Sequence, residues 1–222
     1  TRPDYILNCI GCITQKNPNL RELIELNSVY PHKLALLTEK MKCKIVHFST
    51  DCVFSGMKGG YSEEDLPDAK DFYGKSKFLG EIFDDKNITI RTSIIGHELL
   101  TKKSLVDWFL NQESEIKGYK NAIFSGFPCI YITNVLLDFI FPNQDLRGIY
   151  HIASNPISKY SLLQKISTIY KKEISIIKDI EYCSDKSLNL WKFQKATNFS
   201  SPSWDDLLTM MYQDYKNFYI EI

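Results

Sequence analysis

Lys44–Gly56 reads KIVHFSTDCVFSG, and Tyr73–Glu81 reads YGKSKFLGE. The first stretch is an apolar strand-like run, Lys44 to Phe48, that ends in Ser49-Thr50. The second places Tyr73 and Lys77 four residues apart on a segment with helical character. Outward from this pair the pattern repeats. Tyr5 to Ile13 (YILNCIGCI) is a short apolar run, and Ile88 to Ile95 is another. Between the first two strands, Leu23, Leu26, Tyr30, Leu34, Leu37 and Met41 recur at helical spacing, and Pro31 predicts a kink or a two-piece helix. Strand, helix, strand, helix, strand implies an α/β fold with a parallel, Rossmann-like sheet and right-handed crossovers. Such sheets hold ligands at the carboxyl ends of their strands. Asn8 to Cys12, Ser49-Thr50 and Thr92-Ser93 all fall at those ends.

Later elements are shorter. Helices are expected at Leu105–Leu110, Ile132–Phe141, Ser161–Tyr170 and Trp204–Tyr212, and strands at Ala122–Phe124 and Gly148–Ala153. The tail to Ile222 reads as short helical pieces. The organisation expected is a partial Rossmann core over 1–98 and a mixed α/β substrate lobe over 99–222, interleaved with that core.

Bulk properties exclude several classes. Hydrophobic residues make up 44%, as in an ordinary globular chain. The 27 basic and 27 acidic side chains cancel, and no basic run stands out, which argues against nucleic acid and anionic membranes as partners. No apolar run approaches the ~20 residues that span a bilayer. The six cysteines are scattered, which is expected of reduced thiols in a cytoplasmic protein. Cys9-x-x-Cys12 lacks the second pair or the histidines of a zinc site, so no metal is expected.

A Tyr-x-x-x-Lys spacing is weak by itself. It occurs at Tyr73/Lys77, Tyr182/Lys186 and Tyr212/Lys216, and the last two read as solvated surface. Tyr73/Lys77 differs because it follows a strand ending in Ser-Thr. On a helix, residues four apart share a face. Lys77 is then expected to sit near the Tyr73 phenol and lower its pKa, making it a general acid or base near neutrality. Thr50 can bond and orient the same carbonyl oxygen.

STDCVFSG, then YSEEDLPDAKDFYGKSKFLGE, IRTSIIG and GIYHIASNPISKYSLL together resemble the extended short-chain dehydrogenase/reductases, most closely the dTDP-4-dehydrorhamnose reductase branch. The resemblance implies reduction of a keto group on a nucleotide-activated deoxysugar by NADPH or NADH, for surface polysaccharide biosynthesis. It implies Thr50, Tyr73 and Lys77 as the catalytic set. It implies cofactor contacts from Asn8, Ile10, Gly11, Cys12, Ser49, Tyr73, Lys77, Thr92 and Ser93. Substrate contacts are expected from Thr50, Asp51, Cys52, Phe54, Ile94 and His97. Asn27 resembles an asparagine that some relatives use in a proton relay, but an ordinary helix residue is the favoured reading there.

The departures from the branch are informative. Cys52 stands where it usually has Tyr, and Ile94 where it usually has Trp. Both positions line the sugar pocket in the family, so a different sugar is expected, N-acetylated or UDP-linked. Asp51 is not followed by the Glu of the related dehydratases, which disfavours water elimination. Epimerisation and a non-catalytic regulatory or binding role remain alternatives, and a homodimer is consistent with the family. No glycine triplet makes the pyrophosphate-binding turn that opens such folds. Roughly 50–60 residues of fold are therefore expected to be missing ahead of Thr1. A chain without them is expected to bind NAD(P)H weakly. His47 and His151 read as structural, and the three tryptophans as anchors.

Overall fold

A computed structural model describes residues 2–13, 18–99 and 103–219. Four parallel strands form the central sheet in the order β1 (Tyr5–Asn8), β2 (Lys44–Phe48), β3 (Ile88–Arg91), β7 (Gly148–His151). The register pairs Leu7 with Val46, His47 with Thr89, and Ile90 with Tyr150. The α/β class and parallel sheet expected from the sequence are those observed.

β1 leads to a helical arm whose α1 (Leu20–Leu23) is capped by Asn19 and Glu22, each side chain bonding the other's backbone N–H. The arm runs through a π-helical stretch, Ile24–Val29, into α2 (Tyr30–Thr38). The break expected at Pro31 takes this form: Pro31 has no N–H for the carbonyl of Asn27, and the widened turn accommodates the ring.

α3 (Phe72–Leu79) starts at Asp71, whose carboxylate accepts from Gly74 N at 2.8 Å. Two glycines bring α3 close. A Cβ at Gly74 would strike the Cys52 carbonyl, and one at Gly80 would strike the Asn27 carbonyl. α3 therefore lies against both the end of β2 and the helical arm.

The second lobe is a three-stranded sheet, with β5 (Ile116–Phe124) between antiparallel β8 (Ile157–Ser158) and parallel β9 (Ile176–Asp185). A two-residue pairing of β4 (Ile94–Ile95) with β6 (Phe127–Pro128) links it to the first sheet. α6 (Lys159–Tyr170) packs on this sheet, α5 (Cys129–Val135) and α8 (Trp204–Phe218) on β6, and α7 (Trp191–Thr197) on β7 of the central sheet, while α4 (Leu105–Leu110) precedes β5. Trp204 anchors α8 by donating from Nε1 to Asn155 O at 2.7 Å. β9 adds a strand to a tail in which the sequence reading named only short helical pieces. It is exposed along most of its length, so it lacks the clean apolar alternation that betrays a strand. The end of that tail lies outside the described residues.

Beneath the carboxyl ends of the central strands lies a buried charge pair. Arg91, at the end of β3, donates from Nε and Nη2 to the two oxygens of Glu81, each at 2.7 Å. Both side chains are essentially solvent-free. Ser49 Oγ donates to the same carboxylate at 2.7 Å, and Arg91 Nη1 donates to His151 Nε2 at 3.3 Å. That fixes the tautomer of His151, whose Nδ1–H then donates to Tyr61 O at 3.0 Å. Phe54 lies under the guanidinium, 5.2 Å away, and stacks on Tyr61 at 4.1 Å.

Removing one partner leaves the other charge buried and alone, which typically costs 3–5 kcal/mol. Glu81→Gln is expected to lose about 3 kcal/mol in urea unfolding. A loss under about 1 kcal/mol would show that water reaches Arg91.

Candidate active site

Thr50 follows β2 in extended conformation, and its Oγ1 accepts from Cys52 N at 3.1 Å. It also donates to Asp51 Oδ1 at 3.2 Å. Tyr73, at the second position of α3, lies close to the Thr50 hydroxyl. Lys77, one turn later, is buried and donates from Nζ to Phe48 O at 2.6 Å. The structure thus gathers Thr50, Tyr73 and Lys77 at the end of β2.

The electrostatics differ from the sequence expectation. Burial pushes the Tyr73 phenol well above its usual pKa, the neighbouring Cys52 thiol adds to the rise, and the nearby Thr50 hydroxyl opposes it. Lys77 has no resolved part in that balance. Its own pKa falls to about 8, because burial penalises the ammonium more than the Glu81 carboxylate supports it. At neutral pH Tyr73 is a phenol and Lys77 mostly a cation.

The loop after β1 runs beside Lys77. Asn8 is buried, donating to His47 Nδ1 at 3.0 Å and accepting from Ile10 N at 3.3 Å. Asn27 clamps the loop from both sides: its Oδ1 accepts from Cys12 N at 2.7 Å and its Nδ2 donates to Cys12 O at 3.0 Å. A third bond runs from Asn27 Nδ2 to Ser76 Oγ. The amide is thus occupied in holding the loop. Ile10 and Gly11 are exposed, and a Cβ at Gly11 would lie 3.9 Å from Lys77 Nζ. Among the described residues the ammonium uses one of its three donors, so this corner fits the hydroxyl-rich part of a dinucleotide.

A cavity of about 440 Å³ opens at this edge, the size of a small-molecule site. Asp51, Cys52, Ser93 and Ile94 line one side. Burial raises the Asp51 carboxyl above its ordinary value and lifts the Cys52 thiol to about 11. Thr92 is buried, and its carbonyl accepts from Asp51 N at 3.3 Å.

Three sequence expectations need correction. His97 does not line the cavity: its ring bonds Asp107 at 2.6 Å and Tyr170 at 2.8 Å and stacks on Tyr215 at 4.2 Å. Phe54 is fully buried beneath Arg91 rather than facing the cavity. Ser49 spends its hydroxyl on Glu81, so it acts in the support beneath the loop. His47 and His151 are held neutral by burial, with pKa values pushed down to about 3.

The sequence reading passed over Lys103 and Lys159 and assigned Tyr182/Lys186 to solvated surface, whereas all four line the cavity. Tyr182, Ser184 and Lys186 alternate along and just beyond β9, so they share one face. That period-two pattern was the available signal.

A parallel α/β sheet carrying Thr, Tyr and Lys at its carboxyl edge defines the class of short-chain dehydrogenase/reductase folds. Residues 14–217 match the model of the RmlD substrate binding domain, and the chain belongs to that family. It is 35% identical over 168 residues to the spore coat polysaccharide biosynthesis protein SpsK of Bacillus subtilis (strain 168). That match covers 72% of this chain and 58% of SpsK, so the chain spans little over half the length of this curated relative. A hypothetical dTDP-4-dehydrorhamnose reductase from Sulfolobus tokodaii superposes with TM-score 0.75 at 25% identity, over 92% of this chain and 78% of that one. The dTDP-4-dehydrorhamnose reductase of Bacillus anthracis str. Ames, in complex with NADP, superposes with TM-score 0.79 at 22% identity, over 96% and 81%. Among the described residues no helix is long and apolar enough to cross a membrane.

Proposed function

We propose that this protein is an NAD(P)H-dependent reductase acting on a keto group of a nucleotide-activated deoxysugar, in the synthesis of a surface polysaccharide. The observation that carries the reading is a half-buried, neutral Tyr73 one turn before the buried Lys77 on α3 and close to Thr50 at the end of β2, beside Cys52 and Asp51 of the cavity wall. The polysaccharide role is supported by the likeness to SpsK.

NAD(P)H, when bound, supplies the hydride. The loop Asn8–Cys12 and Lys77 would hold it, together with Thr92 and Ser93. The protein's own part is proton transfer. Tyr73 gives its proton to the carbonyl oxygen as that oxygen gains charge, and the Thr50 hydroxyl orients the oxygen by a second hydrogen bond. Lys77, held by its bond to Phe48 O, keeps a positive charge at the corner where the loop after β1 meets α3. A phenol held neutral suits proton donation better than proton abstraction, which favours reduction over epimerisation as the reading.

Cys52 and Ile94, both on the cavity wall, leave more room and fewer hydrogen-bonding groups than Tyr and Trp would. The favoured sugar therefore carries extra bulk near the reacting carbon, as an N-acetyl group does.

Tyr73→Phe is expected to lower turnover of 4-keto nucleotide sugars by ~10²–10⁴-fold while the circular dichroism spectrum stays unchanged. An active Phe variant would refute the assignment. With Lys77 near pKa 8, kcat/KM is expected to be flat below that pH and to fall above it, as the ammonium is lost. A profile that rises through pH 8 would mean that Lys77 works as a neutral amine.

A further inference from the structure

The connection from β4 to α4 brings Ile94, Glu98, Lys103 and Ser104 to the wall of the cavity that holds Asp51 and Cys52. Its two stems, residues 96–98 and 103–107, are laced together. Glu98 accepts at Oε2 from the backbone N–H groups of Lys103 and Ser104, at 2.7 and 3.2 Å. Ser104 Oγ donates to Gly96 O at 2.9 Å. Asp107, in α4, accepts at Oδ2 from Glu98 N at 2.7 Å. These bonds give the stems their shape. None of them reaches beyond the connection and α4, so they leave its placement in the lobe open.

His97 supplies the placement. Its side chain and that of Asp107 are largely closed off from solvent. Nδ1 donates to the Asp107 carboxylate at 2.6 Å. On the other side, Nε2 meets the Tyr170 hydroxyl of α6 at 2.8 Å. Burial first, then the neighbouring Tyr215 and Asp107, raise the Tyr170 pKa, so this hydroxyl keeps its proton. The imidazole also stacks on Tyr215 of α8 at 4.2 Å and leans on Tyr219 at 5.4 Å. A ring bonded at both nitrogens and stacked on one face cannot turn, so it holds the carboxylate in one place. A pair serving stability alone has no need to face a cavity. This one spends its second carboxylate oxygen on the backbone of a cavity residue, Glu98.

We infer that His97 is a positioning residue. Through Asp107 it sets where Glu98, Lys103 and Ser104 stand against the cavity, and it governs how tightly substrate is held while leaving hydride and proton transfer untouched. The effect on substrate rests on the reductase reading; the effect on the wall does not.

The test compares the parent with His97→Phe, His97→Asn and Tyr170→Phe. Phe at 97 keeps a ring on Tyr215 and removes both hydrogen bonds. Asn keeps a donor for Asp107 and gives up Tyr170. Residue-resolved amide exchange at Glu98 is expected to quicken about tenfold or more in His97→Phe, with the amides of β2 and β3 unchanged. His97→Asn is expected to bring it back to within about threefold of the parent. In turnover of 4-keto nucleotide sugars, His97→Phe is expected to raise KM about tenfold with kcat within about twofold, the mark of an interaction shared by ground state and transition state. His97→Asn is expected to recover most of that KM. Tyr170→Phe is expected to move both readouts the same way by less. It deletes a single hydroxyl, and it decides the matter if His97→Phe fails to fold.

Unchanged exchange at Glu98 in a folded His97→Phe or Tyr170→Phe would overturn the placement. A fall in kcat at constant KM would put His97 in the chemistry instead. Equal damage in the Phe and Asn variants, at Glu98 and in the central sheet alike, would reduce it to a stabilising residue. Quickened exchange at Glu98 in a protein that reduces no sugar would leave the placement standing and remove the reductase. Reduction with unchanged exchange and KM in the variants would do the reverse.

Discussion

The geometry of the site depends on the buried pair between Arg91 and Glu81. Arg91 ends β3, Glu81 lies just past α3, and Ser49 at the end of β2 donates to the same carboxylate. One ion pair thus fastens three elements at the point where Thr50, Tyr73 and Lys77 meet. Burying two charges is expensive, and an apolar replacement is often as stable. What the charges add is direction. A bidentate guanidinium–carboxylate contact fixes angles that apolar packing leaves free. Glu81 also supports the Lys77 cation, so the same carboxylate sets both the placement and the charge of the site.

The sequence made much of this legible. Apolar runs ending in Ser49-Thr50 and Thr92-Ser93 placed the sheet edge, and the helical face of Tyr73 and Lys77 placed the pair beside it. What it could not show was the dielectric. Proximity to Lys77 suggested an acidified tyrosine, whereas closing the site removes water and raises the phenol instead. His97 looked available because it follows the Gly96 turn. Its partners Asp107, Tyr170 and Tyr215 are 10 or more positions away in sequence, and such contacts leave no local pattern. Lys186 was missed for a different reason: β9 is exposed along most of its length, so nothing marked the segment as a strand, and without that assignment the alternation of Tyr182, Ser184 and Lys186 could not be read.

The two lobes divide the chemistry. The parallel sheet supplies hydroxyls, a neutral phenol and one buried cation, all held by backbone and buried side-chain bonds. The second lobe lines the cavity with lysines and a tyrosine. Groups that move protons need fixed geometry. The glycines at 74 and 80 serve that need, since they let α3 approach two backbone carbonyls that a side chain would push away.

The account is tested most directly by replacing the charge pair with apolar residues in Arg91→Met/Glu81→Leu and measuring kcat across pH. By the argument above this variant folds, with stability within ~2 kcal/mol of the parent. Its kcat is expected to fall more than tenfold at unchanged KM, and its alkaline limb to move below pH 8, because Lys77 has lost the carboxylate that favours its cation. A folded variant with the parent's kcat and the parent's limb would contradict the claim that this pair positions the site.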